Sequence, residues 1–172
     1  MAYPTEVQLV TDRTASDVQA RNSKGTYNVA DLNRVETAVA YLSNLLQQLP
    51  SVLKEYREAR QVADSDIFDI PYDASSMAVT TKTDWVVTDI PRPEDMTRYL
   101  GNVTKIRAAF GIKVNNYPSS MTKLTRLKAN AIERALVTLY DKLTAFEKEQ
   151  KDLADRAQAS VYYSGEIYGG DV

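Results

Sequence analysis

The sequence predicts a mainly α protein: a helical bundle with one long C-terminal helix, an extended N-terminal arm, an irregular mid-chain loop and a short β-like C-terminal tail. Leu32, Val35, Val39, Leu42, Leu46 and Leu49 recur in steps of three and four, the spacing that lines one helix face with apolar side chains. A longer stripe starts at Leu124, Leu127 and Ala131 and drifts through Ile132, Leu136, Leu139, Leu143, Phe146 and Leu153. Between these stretches, residues 64–92 hold no helical period and are rich in Asp, Thr and Pro, which favour turns and irregular chain.

Taken in order, residues 1–27 form the arm. Asp12 or Thr14 is placed to cap a short helix, and Asn22-Ser23-Lys24-Gly25 is turn chemistry. The helical core covers residues 28–158. Asn28 caps the first helix, and Asp31 lies three residues on, at the positive end of the helix dipole. Pro50 has no N–H and restricts Leu49, so the expectation is a break or kink there and a second helix over 51–63. Thr80 to Thr88 contains β-branched residues and the only Trp, Trp85, and reads as a short strand. Pro93 opens the next helix, striped by Met96, Tyr99, Val103, Ile106 and Phe110, and Gly111 closes it. A helix over 122–158 would be about 50 Å long. Residues 159–172 alternate aromatics and glycines and read as an extended docking tail, with Tyr162, Ser164, Glu166 and Tyr168 on one side and Tyr163, Gly165, Ile167 and Gly169 on the other.

Composition narrows the function. The 172 residues contain no His and no Cys, so the commonest general base, the commonest metal ligand and the thiolate nucleophile are all missing. A net charge of −2 supplies no overall footprint for nucleic acid. No apolar run is long enough to cross a bilayer, and Met1 to Glu6 lacks the features of a secretion signal. Synthesis in a cytoplasm is the resulting expectation.

The chemical motifs present are weak. Ser120-Met121-Thr122-Lys123 matches a Ser-x-x-Lys pattern but lacks its usual partner motifs; a hydroxyl-rich helix start explains it better. Asp64, Asp66, Asp69 and Asp73 cluster as in a cation loop, yet the Gly and Glu of an EF-hand are replaced by Asp69 and Ser75. Asp84 and Asp89 flank Trp85 without any recognisable cleft. Arg34 and Arg98 occupy matching places in two similar segments, Asp31 to Leu42 and Asp95 to Ile106. They read as structural partners for Asp31, Asp95 or a carboxylate on a neighbouring helix. No catalytic residue, cofactor site or metal site is assigned.

Several short motifs follow one another along the chain: Asp12-Arg13-Thr14, Tyr27-Asn28 with Asp31-Leu32-Asn33-Arg34, Thr81-Lys82-Thr83-Asp84-Trp85, Arg98-Tyr99-Leu100-Gly101-Asn102, Ala129-Asn130-Ala131-Ile132-Glu133 and Tyr162-Tyr163-Ser164-Gly165. In this order they resemble a family of small structural proteins from tail modules of phages and prophages of Gram-positive bacteria. Relatives often carry a longer charged insert where only Gln19 to Thr26 stands here. The resemblance implies a non-enzymatic virion component at the distal tail or baseplate, or a fibre connector, present in several copies. Its partners would be other tail proteins and copies of itself, with no nucleic acid and no membrane insertion. On this reading the contact residues are Leu32, Val35, Val39, Leu42, Leu46, Trp85, Leu139, Leu143, Phe146, Tyr162, Tyr163, Ile167 and Tyr168. The alternative is a host-surface receptor-binding module, with the Trp85 loop as its recognition surface. A cell-wall hydrolase has nothing positive in the sequence to support it.

Overall fold

Helix dominates the computed structural model, which describes residues 8–62 and 69–166, the last of these, 161–166, by backbone alone. Helix α1 spans Ala15–Ala20, α2 Val29–Glu58, α3 Pro93–Ala108 and α4 Arg126–Glu166, with a 3-10 turn at Ala74–Met77. The caps follow the local chemistry. The Thr14 hydroxyl accepts from the Asp17 N–H and the Asp17 carboxylate accepts from the Thr14 N–H, a reciprocal box at the start of α1. Asn28 and Asp31 do the same for α2. Pro93 opens α3. Gly111, at φ +60°, closes α3 through Ile112 N–H to Arg107 C=O at 3.0 Å and Gly111 N–H to Ala108 C=O at 3.0 Å.

The three long helices all run in the same direction. Near their starts, Arg34 of α2 donates to Glu133 of α4 at 2.9 Å. Near the far end, Tyr56 of α2 and Arg60 just beyond it hold Asp155 of α4. Arg98 in α3 donates to Glu36 of α2 at 3.0 Å, while Phe110, past the end of α3, meets Phe146 of α4 with ring centroids 5.5 Å apart. Parallel neighbours cannot be joined by a tight turn, so each connection must travel back along the bundle. Tyr72, Met77 and Trp85 bond successively to Leu46, Ser43 and Asn33 of α2, so the first connection climbs as α2 descends. The second passes from Ile112, beside Arg107, to Tyr117, beside Thr104 and Leu100.

Four sequence expectations are revised. Pro50 lies inside α2, which continues unbroken through Glu58. A proline at position 50 leaves the Leu46 carbonyl without its helical donor, and the Tyr72 hydroxyl supplies one at 3.0 Å. The expected separate helix over 51–63 is therefore the second half of α2. The Trp85 segment is not a strand. It has no neighbouring strand to pair with among the described residues; side chains take its carbonyls instead, Lys105 at Ala78 (2.8 Å), Arg98 and Asn102 at Thr80 (2.9 and 2.7 Å) and Asn33 at Trp85 (2.9 Å). The extended tail expected from residue 159 is helical through Glu166, while Ile167 and Tyr168 lie outside the described residues. Finally, α4 begins at Arg126 rather than Thr122, with Lys123 at φ +52° just before it.

One apolar core joins these elements. It runs from Leu32, Val35, Val39, Leu42 and Leu46 of α2 through Tyr99, Val103 and Ile106 of α3 to Ile132, Leu136, Leu139 and Leu143 of α4. Each fully buried aliphatic of this size contributes roughly 1.5–3 kcal/mol.

Candidate functional site

Two features at the starting end of the helices stand apart from ordinary packing. The first is a buried clasp. Arg13 comes from the arm, Asp31 and Arg34 from α2, and Asn130 and Glu133 from α4. The Arg13 guanidinium donates to Asp31 at 2.8 Å and to Glu133 at 2.5 Å. Arg34 grips the Glu133 carboxylate with two donors, both at 2.9 Å, and also reaches Asp31. Asn130 closes a two-way bond with the Arg13 backbone, accepting at 3.0 Å and donating at 3.1 Å. Two guanidiniums thus balance two carboxylates in an almost dry site; Glu133 has no exposed surface.

Burial alone lowers the Arg13 and Arg34 pKa values, but the hydrogen bonds and charges of Glu133 and Asp31 outweigh it, and both rise. Both cations are therefore permanently charged. Beside the clasp, the Tyr27 and Tyr99 hydroxyls bond to each other. Loss of water pushes both phenols up, so they stay neutral. The sequence marks two of these residues, Asp31 and Arg34, through the repeated Asp-x-x-Arg pattern. Arg13, Asn130 and Glu133 carry no comparable local signal, because their meeting depends on an arm folding across two distant helices.

Arg98 has a structural partner, and of the alternatives its sequence setting left open the neighbouring helix supplies it: Glu36, at 2.7 Å on α2. Asp95 instead accepts from the Arg92 N–H at the start of α3. Asp84 and Asp89 both lie beside Lys82, at 2.8 and 3.4 Å. Ser120 and Lys123 sit in the connection before α4 rather than on a helix. Asp73 caps the 3-10 turn by accepting from Ser75, and Asp64 and Asp66 lie outside the described residues. Among the described residues no group of three or more His, Cys, Asp or Glu is placed to hold a metal, and no helix is long and apolar enough to cross a membrane.

The second feature is an open groove of about 1420 Å³ between the start of α2, the outer face of α3 and the connection before α4. Met96 and Leu100 form one wall and Val114, Pro118 and Met121 the other. Trp85, Asp89 and Pro91 form its lip. Trp85 itself is buried, with Asn33 clasping both its N–H (2.8 Å) and its C=O (2.9 Å). The turn beyond it is not: Val87 is 88% exposed and Ile90 86%.

Of the contact residues expected from the sequence, Leu32, Val35, Val39, Leu42, Leu46, Trp85, Leu139 and Leu143 are buried inside this chain's own core. Phe146 is half-buried against Phe110. Tyr162 and Tyr163 lie on the helical backbone at the end of α4, and Ile167 and Tyr168 lie outside the described residues. No protein-family model matches the chain, and neither a curated protein nor a solved structure matches it.

Proposed function

We propose that this chain is a non-enzymatic structural component of a phage tail, at the distal tail or baseplate or as a fibre connector, which acts by assembling with other tail proteins and with copies of itself. The resemblance to small proteins of phage tail modules suggests the setting. The observation that carries a structural role is the clasp. Arg13, Asp31, Arg34, Asn130 and Glu133, all drawn from the motifs behind that resemblance, are tied to one another and to nearby backbone by hydrogen bonds. Their work is to lock an arm onto two helices, which is what a rigid part under assembly needs. Imaging of the parent particle with this protein labelled should place it in the tail. Its absence from purified particles, or turnover of peptidoglycan that is lost on changing Asp or Glu residues, would overturn the proposal.

The exposed turn carrying Val86, Val87 and Ile90 beside Trp85 favours one alternative, a host-surface receptor-binding module. Single exposed apolar residues need no explanation, but a cluster beside a groove marks a contact surface. Saturable binding to purified host cell walls, abolished by Val87→Asp, would select this alternative. Indifference of wall binding to that change would exclude the turn as the recognition surface.

A further inference from the structure

We propose that the groove at the starting end of the helices receives the C-terminal segment of a second copy of this chain, so that copies join head to tail. The inference deepens the assembly reading, on which it rests, by naming which surfaces of two copies meet.

The groove suits a short apolar and acidic peptide. Its walls are Met, Leu, Val and Pro side chains, and Val87 and Ile90 extend the apolar surface beyond its lip. Its charged lining is Arg92, Lys105, Arg107 and Lys113 against a single acid, Asp89. The starts of α2 and α3 line the same space, Asn28 and Val29 from one and Arg92 and Pro93 from the other. The segment 164–172 reads Ser-Gly-Glu-Ile-Tyr-Gly-Gly-Asp-Val. It carries two acids, Glu166 and Asp171, and no base. Ile167 and Tyr168 are anchors of the type that fill apolar pockets, and Gly169 and Gly170 allow a close approach of backbone to wall.

Geometry requires the segment to come from another molecule. Thr122 and Leu124, just before α4, line the groove, whereas residue 167 follows the opposite end of α4. The 41 residues of α4 span about 60 Å at 1.5 Å per residue. The six residues 167–172 reach at most about 20 Å in any conformation. The arm is not a competing occupant on its described course. Arg13 lies beside Asn130 and Val10 beside Glu133, so the chain, followed from 13 back to 10, heads away from the groove end. Two different surfaces therefore meet, one from each end of the molecule. Such a contact closes as a two-fold pair where two copies each give their segment to the other's groove, and otherwise repeats from copy to copy into a ring or a filament.

The full-length protein with p-benzoylphenylalanine in place of Tyr168 tests this directly. It would be mixed in equal parts with isotopically heavy protein, irradiated and mapped by mass spectrometry. Cross-links from position 168 to Met96 or Met121 of the differently labelled copy are expected. No cross-link between copies, or cross-links to any other surface, would overturn the proposal. Arg92 and Lys113 are exposed, so Arg92→Glu with Lys113→Glu should leave the fold intact by circular dichroism. That pair should weaken self-association by about tenfold or more, and copies carrying Glu166→Lys with Asp171→Lys should restore it. Self-association unchanged by the groove pair overturns the tail-in-groove contact while leaving an assembly role standing. A chain that is monomeric at high concentration and missing from particles removes the assembly reading along with it.

Discussion

Glu133 shows how much can rest on one side chain. It takes both guanidiniums of the clasp and the Val10 N–H while fully out of solvent. Removing its charge leaves two cations sharing Asp31. Glu133→Gln is expected to destabilise the fold by roughly 3–5 kcal/mol, the usual cost of breaking a buried pair from one side, read as a lower urea midpoint. Asp17 is the opposite case, a surface carboxylate that works through a cap. Hydrogen bonds from the Thr14 hydroxyl, Asn22 and the Thr14 N–H lower its pKa from the ordinary value near 3.8 to about 2. A depressed carboxylate adds stability above its unfolded pKa and loses it as pH falls through the folded one. The order of α1 is therefore expected to be complete above about pH 4 and to fade toward pH 2. Amide chemical shifts of residues 15–20 followed by NMR check this, and Asp17→Asn should abolish the pH dependence. Gly25 is needed for a simpler reason: a Cβ there would overlap the Asp17 carbonyl.

Among the elements, α2 departs most from its sequence forecast. Proline inside a helix removes one hydrogen bond and crowds the preceding turn. Here the lost donor is replaced by Tyr72, a residue 26 positions away from Leu46. A double-mutant cycle isolates that compensation. Tyr72→Phe in the natural background is expected to cost about 0.5–1.5 kcal/mol, one net hydrogen bond. In a Pro50→Ala background the same change should cost less, because the alanine backbone supplies the missing N–H. Equal costs in both backgrounds would show that the Tyr72 hydroxyl does not compensate for Pro50. The unbroken α2 also changes the account of α4. A helix ending at Pro50 would leave much of the α4 stripe uncovered, whereas α2 runs beside it as far as the contact at Asp155. Beyond Asp155, α4 continues for about 16 Å and leads to the proposed docking segment.

At the scale of the molecule, parallel helices joined by long return connections make the packing strongly non-local. Leu42, at the centre of α2, has no exposed surface and sits in the core shared by all three long helices. Leu42→Asp is expected to cost several kcal/mol, since an unpaired carboxylate has no partner there. Thermal melting should show loss of one cooperative transition rather than local loosening. A variant that keeps its melting temperature would mean that the three helices do not share a core. The same topology gathers the starts of the long helices at one end. It brings the clasp and the groove there and sends the end of α4 to the other, which is the polarity that a head-to-tail assembly uses.

Local sequence was enough for the helical class, the Asn28 cap, the Pro93 start of α3, the closing Gly111 and the apolar faces of the three long helices, and it narrowed the α1 cap to Asp12 or Thr14. Each of these depends on residues within a turn or two of one another, where spacing and capping chemistry act directly. Tertiary structure decided the rest. Pro50 stays helical because a distant tyrosine hydroxyl reaches the carbonyl it leaves free. The Trp85 segment stays out of a sheet because helix side chains satisfy its carbonyls. Arg98 pairs with Glu36 rather than Asp95 because α2 and α3 lie side by side in the same direction. Glu133 becomes the centre of the clasp only when the arm and α2 close over α4. These outcomes turn on which hydrogen-bond partner arrives from far along the chain, and local spacing holds no information about that arrival.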